Sequence, residues 1–161
     1  MKRLFTCAVA LLCCFSLLMT FASAAKVPTE GYQFPDNWSH DALVFAVENG
    51  ILAGDKERNL NPDDNITRAE MAAVLVRLLG ATEAGDLSAY TDVHTTDWFY
   101  TELAAAVGAG VFNGTSATTM EPNAAITREQ AAVVLSRAFG VVSSERGTYQ
   151  SFGDWKQVSA Y

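Results

Sequence analysis

Two stretches, "NITRAEMAAVL" at Asn65–Leu75 and "AITREQAAVVL" at Ala125–Leu135, are near copies of one another sixty positions apart. Working outward from them without a gap, Trp38 falls on Trp98, Leu43 on Leu103, Ala46-Val47 on Ala106-Val107 and Gly50 on Gly110. Gly54 falls on Gly114, Pro62 on Pro122, Ala72 on Ala132, Arg77 on Arg137 and Gly80 on Gly140. In all, 15 of the 43 aligned positions from Trp38 to Gly80 are identical, where ordinary residue frequencies give about two or three. The chain is therefore built on an internal repeat, and that sets its architecture before any local reading does.

Each copy reads helix–loop–helix. In the first helix Leu43, Ala46, Val47 and Gly50 recur with the spacing of one helical face, and Leu103, Ala106, Val107 and Gly110 do the same. Gly50 and Gly110 stand where a left-handed residue ends a helix. A loop carrying Gly54 or Gly114, then Pro62 or Pro122, leads to the second helix. Its apolar stripe is Met71, Val74, Leu75, Leu78 and Leu79, matched by Ala131, Val134, Leu135, Ala138 and Phe139. At its start Thr67 and Glu70 form a capping box, and Thr127 with Gln130 forms the glutamine version.

The cap does not call for Arg68 or Arg128. Each sits at the first helical position, where the dipole mildly disfavours a cation. An arginine fork beside open helix N–H groups is suited to a carboxylate or phosphate. The plainer alternative is an arginine facing solvent or paired with Asp63 or Asp64. Trp38 and Trp98 open the first helix of each copy, either capping the core or offering a face for stacking on a sugar.

The N-terminus has the layout of a secretory leader. Lys2 and Arg3 precede an apolar run from Leu4 to Phe21, and Ala22-Ser23-Ala24 supplies the cleavage signal. A retained membrane anchor is the alternative. Cys7, Cys13 and Cys14 all lie in this leader, so the mature chain relies on its core rather than on disulfides. Cleavage leaves nine Lys and Arg against eighteen Asp and Glu, a net charge of −9, which argues against nucleic acid and against field-driven attraction to any polyanion.

Enzymatic chemistry finds little support. His40 and His94 occupy unrelated places in the repeats, and Asp92, His94 and Asp97 read as a solvated linker with no nucleophile nearby. No catalytic residue and no cofactor are expected. The acidic loop from Asp55 fails the calcium-loop template, with Leu60 at the glycine position and Ile66 at the glutamate position, so no metal is expected either.

The order Trp, apolar helix, Gly50-Ile51-Leu52-Ala53-Gly54, Asn61-Pro62 and Ile66-Thr67-Arg68-Ala69-Glu70 resembles the S-layer homology (SLH) module. The resemblance implies an all-α fold of tandem helix–loop–helix repeats around a pseudo-threefold axis. It implies a non-catalytic anchor for exported proteins that binds secondary cell-wall polysaccharide, often through a pyruvylated sugar. By position, Arg68 and Arg128 match the arginine expected to pair with the anionic ketal. Trp38 and Trp98 match the aromatic lining the groove, and Gly54 and Gly114 match glycines where backbone approaches the sugar. Removing both arginines is then expected to abolish wall binding and leave helix content nearly unchanged. The second copy departs from the motif in Glu129-Gln130, and in the first copy Asp36 stands almost against Trp38.

The expected organisation is a leader (1–24), a lead-in (25–37), repeat 1 (38–80), a linker (81–89), repeat 2 (90–140), a second linker (141–151) and the start of a third repeat (152–161). Phe152-Gly153-Asp154 echoes Tyr90-Thr91-Asp92, and Tyr161 stands near the place of Trp98. The expected localisation is the cell surface, with no membrane partner after leader cleavage and with the oligomeric state open. The alternatives are a self-assembling surface-layer protein, or the anchor of a hydrolase or an outer-membrane barrel.

Overall fold

A computed structural model describes residues 25–141 and 151–157. The leader, most of the second linker and Tyr161 lie outside the described residues. The described chain is all-α: α1 (His40–Glu48), α2 (Arg68–Leu79), α3 (Tyr100–Gly108) and α4 (Arg128–Ala138), with a short 3-10 turn at Trp155–Gln157. Helix starts repeat at the sixty-residue interval, α1 to α3 and α2 to α4.

The ends follow from local chemistry. Gly50 and Gly110 are left-handed, at φ 68° and 69°. They permit paired bonds from Ile51 N to Ala46 O (2.8 Å) and from Gly50 N to Val47 O (2.9 Å), with Val111 and Gly110 doing likewise. At the other end of the second helices, the Thr67 hydroxyl accepts from Glu70 N while the Glu70 carboxylate accepts from Thr67 N (2.7 Å). Thr127 and Gln130 make the same reciprocal pair.

The tertiary packing crosses the repeats. α2 of the first repeat lies against α3 of the second, and to a smaller extent against α4. α1 packs on no other described helix. The main core accordingly joins Ala69, Ala72 and Leu75 of α2 to Phe99, Leu103 and Ala106 of α3 and to Val111, Phe112 and Met120 of the following loop. Leu75, Leu103, Phe112 and Met120 are fully buried, each worth about 1.5–3 kcal/mol in removal from water.

The segment 81–89 does more than link. Gly85 N donates to Ala104 O at 2.8 Å, Leu87 enters the core, and a Cβ at Gly108 would stand 2.1 Å from Glu83 O. The lead-in wraps repeat 1 in a comparable way. Val27 N donates to Glu48 O, Lys26 pairs with Glu48, and the Tyr32 hydroxyl donates to Ala53 O at 2.8 Å. Arg58 then crosses the Tyr32 ring and donates to Glu30 O.

Candidate functional site

Among the described residues, Arg68 is the one charged side chain that is buried, 4% exposed. Its Nε donates to Met120 O (2.8 Å) and its NH2 to Asn113 O (3.0 Å), and its guanidinium lies 5.3 Å from the Phe112 ring centroid. Repeat 1 thus drives its arginine into the loop of repeat 2. The helix start is occupied as well. Arg68 N donates to Ala124 O and Ala69 N to Pro122 O (2.9 Å each), and Ile126 N donates to Ile66 O, making a short bridge at Thr67 and Ala125. The open N–H groups expected beside this arginine are therefore taken by repeat 2. Arg68 neither faces solvent nor pairs with Asp63 or Asp64. At α4 no described segment plays the part that 120–126 plays at α2, and Arg128 is exposed.

The loop that receives Arg68 is held by Asp92. Its carboxylate accepts from Met120 N (2.9 and 3.1 Å) and from Glu121 N (2.7 Å). Glu121 sits at φ 52°, where a non-glycine residue is strained, and Asn61 holds the equivalent place in repeat 1 at φ 45°. Asp92 is therefore a fixed structural acceptor and not part of a solvated linker. Neighbouring Asp97 instead accepts from His94 N at 2.7 Å.

Burial pushes the Asp92 pKa up, but the Met120 and Glu121 amides and the charge of Arg68 outweigh it and hold the carboxyl below its ordinary value. A depressed folded pKa stabilises the fold fully above the ordinary carboxylate value of about 4. That stabilisation is lost as pH falls through the lowered value. In urea titrations between about pH 5 and pH 3, Asp92→Asn is expected to start less stable and to lose less with acid than the native chain.

Trp38 is 94% exposed and Trp98 60% exposed. The residue that caps the core is Phe99, which meets Trp98 edge-on at 5.4 Å. Both tryptophans thus offer their faces to solvent.

Gly114 is hemmed in. Its N–H donates to the Tyr90 hydroxyl (3.3 Å), and a Cβ there would stand 2.4 Å from the Tyr90 ring and 2.6 Å from Ser116 O and Thr119 O. Gly54 is left-handed, and a Cβ there would lie 2.9 Å from Asn59 O. Close packing within the chain accounts for both glycines.

Arg68 and the Gly114 loop are brought together, since Asn113 is one of the arginine's acceptors. Gly54 is not joined to Arg68, and Arg128 is joined to neither glycine loop among the described contacts. Asp92 escaped the sequence reading because the sixty-residue register sets Tyr32 opposite it. The available signal was the aromatic-x-Asp echo at Phe152-Gly153-Asp154.

Among the described residues no group of three or more His, Cys, Asp or Glu could hold a metal, and no helix is long and apolar enough to cross a membrane. What remains is two outward indole faces, an exposed arginine and a buried one that holds the loop of repeat 2. An indole face can stack on an apolar ring face, and an exposed guanidinium can pair with an anion.

The S-layer homology domain model matches residues 32–72 and 89–132. The Surface-layer 125 kDa protein of Lysinibacillus sphaericus is 32% identical over 146 residues, which cover 91% of this chain and 12% of that protein. Exoglucanase XynX of Acetivibrio thermocellus is 32% identical over 127 residues, 77% of this chain and 12% of that protein. S-layer protein sap of Bacillus anthracis is 28% identical over 134 residues, 81% of this chain and 16% of that protein. The chain thus spans only a small fraction of the length of these relatives.

Proposed function

The chain belongs to the S-layer homology domain family, a family of non-catalytic cell-wall anchoring modules on secreted, cell-surface proteins, and from that premise we propose that it binds secondary cell-wall polysaccharide through a pyruvylated sugar. The observation that carries this reading is the placement of Trp38 and Trp98. Tryptophan is usually among the most buried residues on average, yet at the same position of both repeats it faces water, and beside Trp98 it is Phe99 that takes the core.

Trp38 and Trp98 supply flat apolar faces for sugar rings, and Arg128 supplies the charge for the ketal carboxylate. Arg68 holds the Gly114 loop against α2 from below, and the Gly54 and Gly114 loops bring backbone close to the ligand. The overall charge of −9 opposes an anionic polymer, so capture depends on these local contacts. What is tethered is an effector of the kind carried by the relatives, a surface-layer or polysaccharide-degrading protein.

The test is co-sedimentation of the secreted protein with purified wall sacculi, before and after chemical removal of the secondary polymer. Binding that vanishes with the polymer supports the proposal, and binding that survives its removal refutes it. Trp38→Ala and Trp98→Ala are each expected to weaken binding about tenfold, or about 1.4 kcal/mol, without changing helix content. Arg128→Ala should weaken binding to the native polymer and leave binding to polymer stripped of its ketals unchanged.

A further inference from the structure

We infer that Asn113 is a site of spontaneous self-modification, its side-chain amide closing on the main-chain nitrogen of Gly114 and opening to isoaspartate, with Arg68 directing the outcome. The chain contains two Asn-Gly pairs, Asn49-Gly50 and Asn113-Gly114. They stand at different places in the repeats, and the sixty-residue register sets Ala109 and Ala53 opposite the two asparagines. Glycine is the neighbour that leaves its own nitrogen least shielded, because it has no Cβ.

The fold treats the two pairs oppositely. Asn49 ends α1, where its Nδ2 donates to Phe45 O at 2.7 Å and Gly50 N donates to Val47 O at 2.9 Å. Both reacting groups are thus held by the helix they close. Asn113 lies in the irregular loop after α3 and is exposed. Among the described residues its side-chain amide holds no hydrogen bond, and Gly114 N reaches only the Tyr90 hydroxyl, at 3.3 Å. A bulkier and slower neighbour does not fit, since a Cβ at 114 would stand 2.4 Å from the Tyr90 ring. The packing that demands glycine there therefore keeps the reactive pair.

Arg68 distinguishes this pair from an asparagine in an open coil. Its guanidinium donates to Asn113 O at 3.0 Å, the carbonyl of the same peptide bond whose nitrogen reacts. A cation on that oxygen stabilises the ionised amide, so Gly114 N loses its proton to solvent hydroxide more readily. The nitrogen then attacks Cγ of Asn113. The N–Cγ bond forms, the Cγ–Nδ2 bond breaks and ammonia leaves.

The product is a five-membered imide with two carbonyl carbons. Water adds to one of them, its bond to nitrogen breaks, and the nitrogen recovers a proton. Attack at the former main-chain carbonyl, the one that Arg68 polarises, gives isoaspartate. The net change is one water taken up and one ammonia released, with no other reactant. The freed α-carboxylate includes the oxygen that Arg68 already holds, so a neutral acceptor becomes an ion-pair partner for a buried arginine.

The test keeps the secreted protein in warm, mildly alkaline buffer for weeks. The peptides around Asn49 and Asn113 are followed by mass spectrometry, and isoaspartate is counted by enzymatic methylation. In the folded chain Asn113 is expected to convert at least about tenfold faster than Asn49, because two helix-end bonds must break before Asn49 reacts. In urea the two should convert at similar rates. Equal rates in the folded chain, or no conversion at Asn113, overturn the inference.

The share of isoaspartate among the products at Asn113 reads the arginine. It should be higher in the folded chain than in urea. Arg68→Ala, held at a temperature where its helical signal stays native, should bring it down to the urea value. A folded-chain share no higher than in urea, or one unchanged by Arg68→Ala, also overturns the inference. Neither readout involves glycan, so this modification and the proposed ligand stand or fall separately.

Discussion

Arg68→Ala is expected to lower the free energy of unfolding by about 3 kcal/mol, while Arg128→Ala changes it by less than about 0.5 kcal/mol. The two arginines follow the same Ile-Thr in their repeats and begin the same kind of helix. The difference lies in where they end. Removing the Arg68 guanidinium takes away donors to Met120 O and Asn113 O and leaves two carbonyls without those bonds at a largely dry junction. It also removes the cation from the Phe112 face and the positive charge that helps hold Asp92 ionised.

Hydrogen bonds to a charged group are worth about 1.5–3 kcal/mol each, and some of that is recovered when water enters. In a domain of this size the loss corresponds to a fall in Tm of about 10 °C or more, read from the helical signal on heating. Equal and small effects at both positions would mean that the guanidinium–loop contact does not form. Loss of wall binding in an Arg68 variant must then be judged against its stability. Of the two arginines, Arg128 is therefore the one expected to be removable with the fold intact.

A second pair isolates packing. Leu75→Ala is expected to cost about 3 kcal/mol, the transfer of a fully buried leucine plus the cavity left behind. Leu135→Ala, at the corresponding place on α4, is expected to cost under about 1 kcal/mol in the monomer, since much of that side chain is already in water. Urea unfolding at low protein concentration measures both.

What could be read from the sequence was what neighbouring residues decide. The pairing of Thr67 with Glu70 spans three positions, and the left-handed Gly50 and Gly110 stand immediately beyond their helices. The helix face of Leu103 and Ala106 repeats at short range. None of these needs knowledge of the rest of the chain.

Arg68 was different, because its acceptors are main-chain carbonyls 45 and 52 residues away, and every residue has a carbonyl. Asp92 was hidden for the same reason, since the amides of Met120 and Glu121 leave no mark in the side-chain alphabet. Trp98 and Phe99 are adjacent and both aromatic. Which of them turns inward is settled by the shape of the core and not by hydrophobicity.

The packing of α2 on α3 puts the unit that was duplicated out of step with the unit that melts. Duplication copied a first helix with the second helix that follows it. Cooperative stability belongs to the second helix of one copy and the first helix and loop of the next. A single copy would therefore hold two half-interfaces and no complete one. Each added copy completes one junction, so a linear array of n copies contains n − 1. Dissection at the apparent repeat boundary, within 81–89, would strand Ala69, Ala72 and Leu75 in water, whereas opening the chain in the loop ahead of Ile66 keeps the block intact. For a chain of this design, boundaries taken from sequence similarity and boundaries taken from the protease-resistant core should differ by about half a repeat.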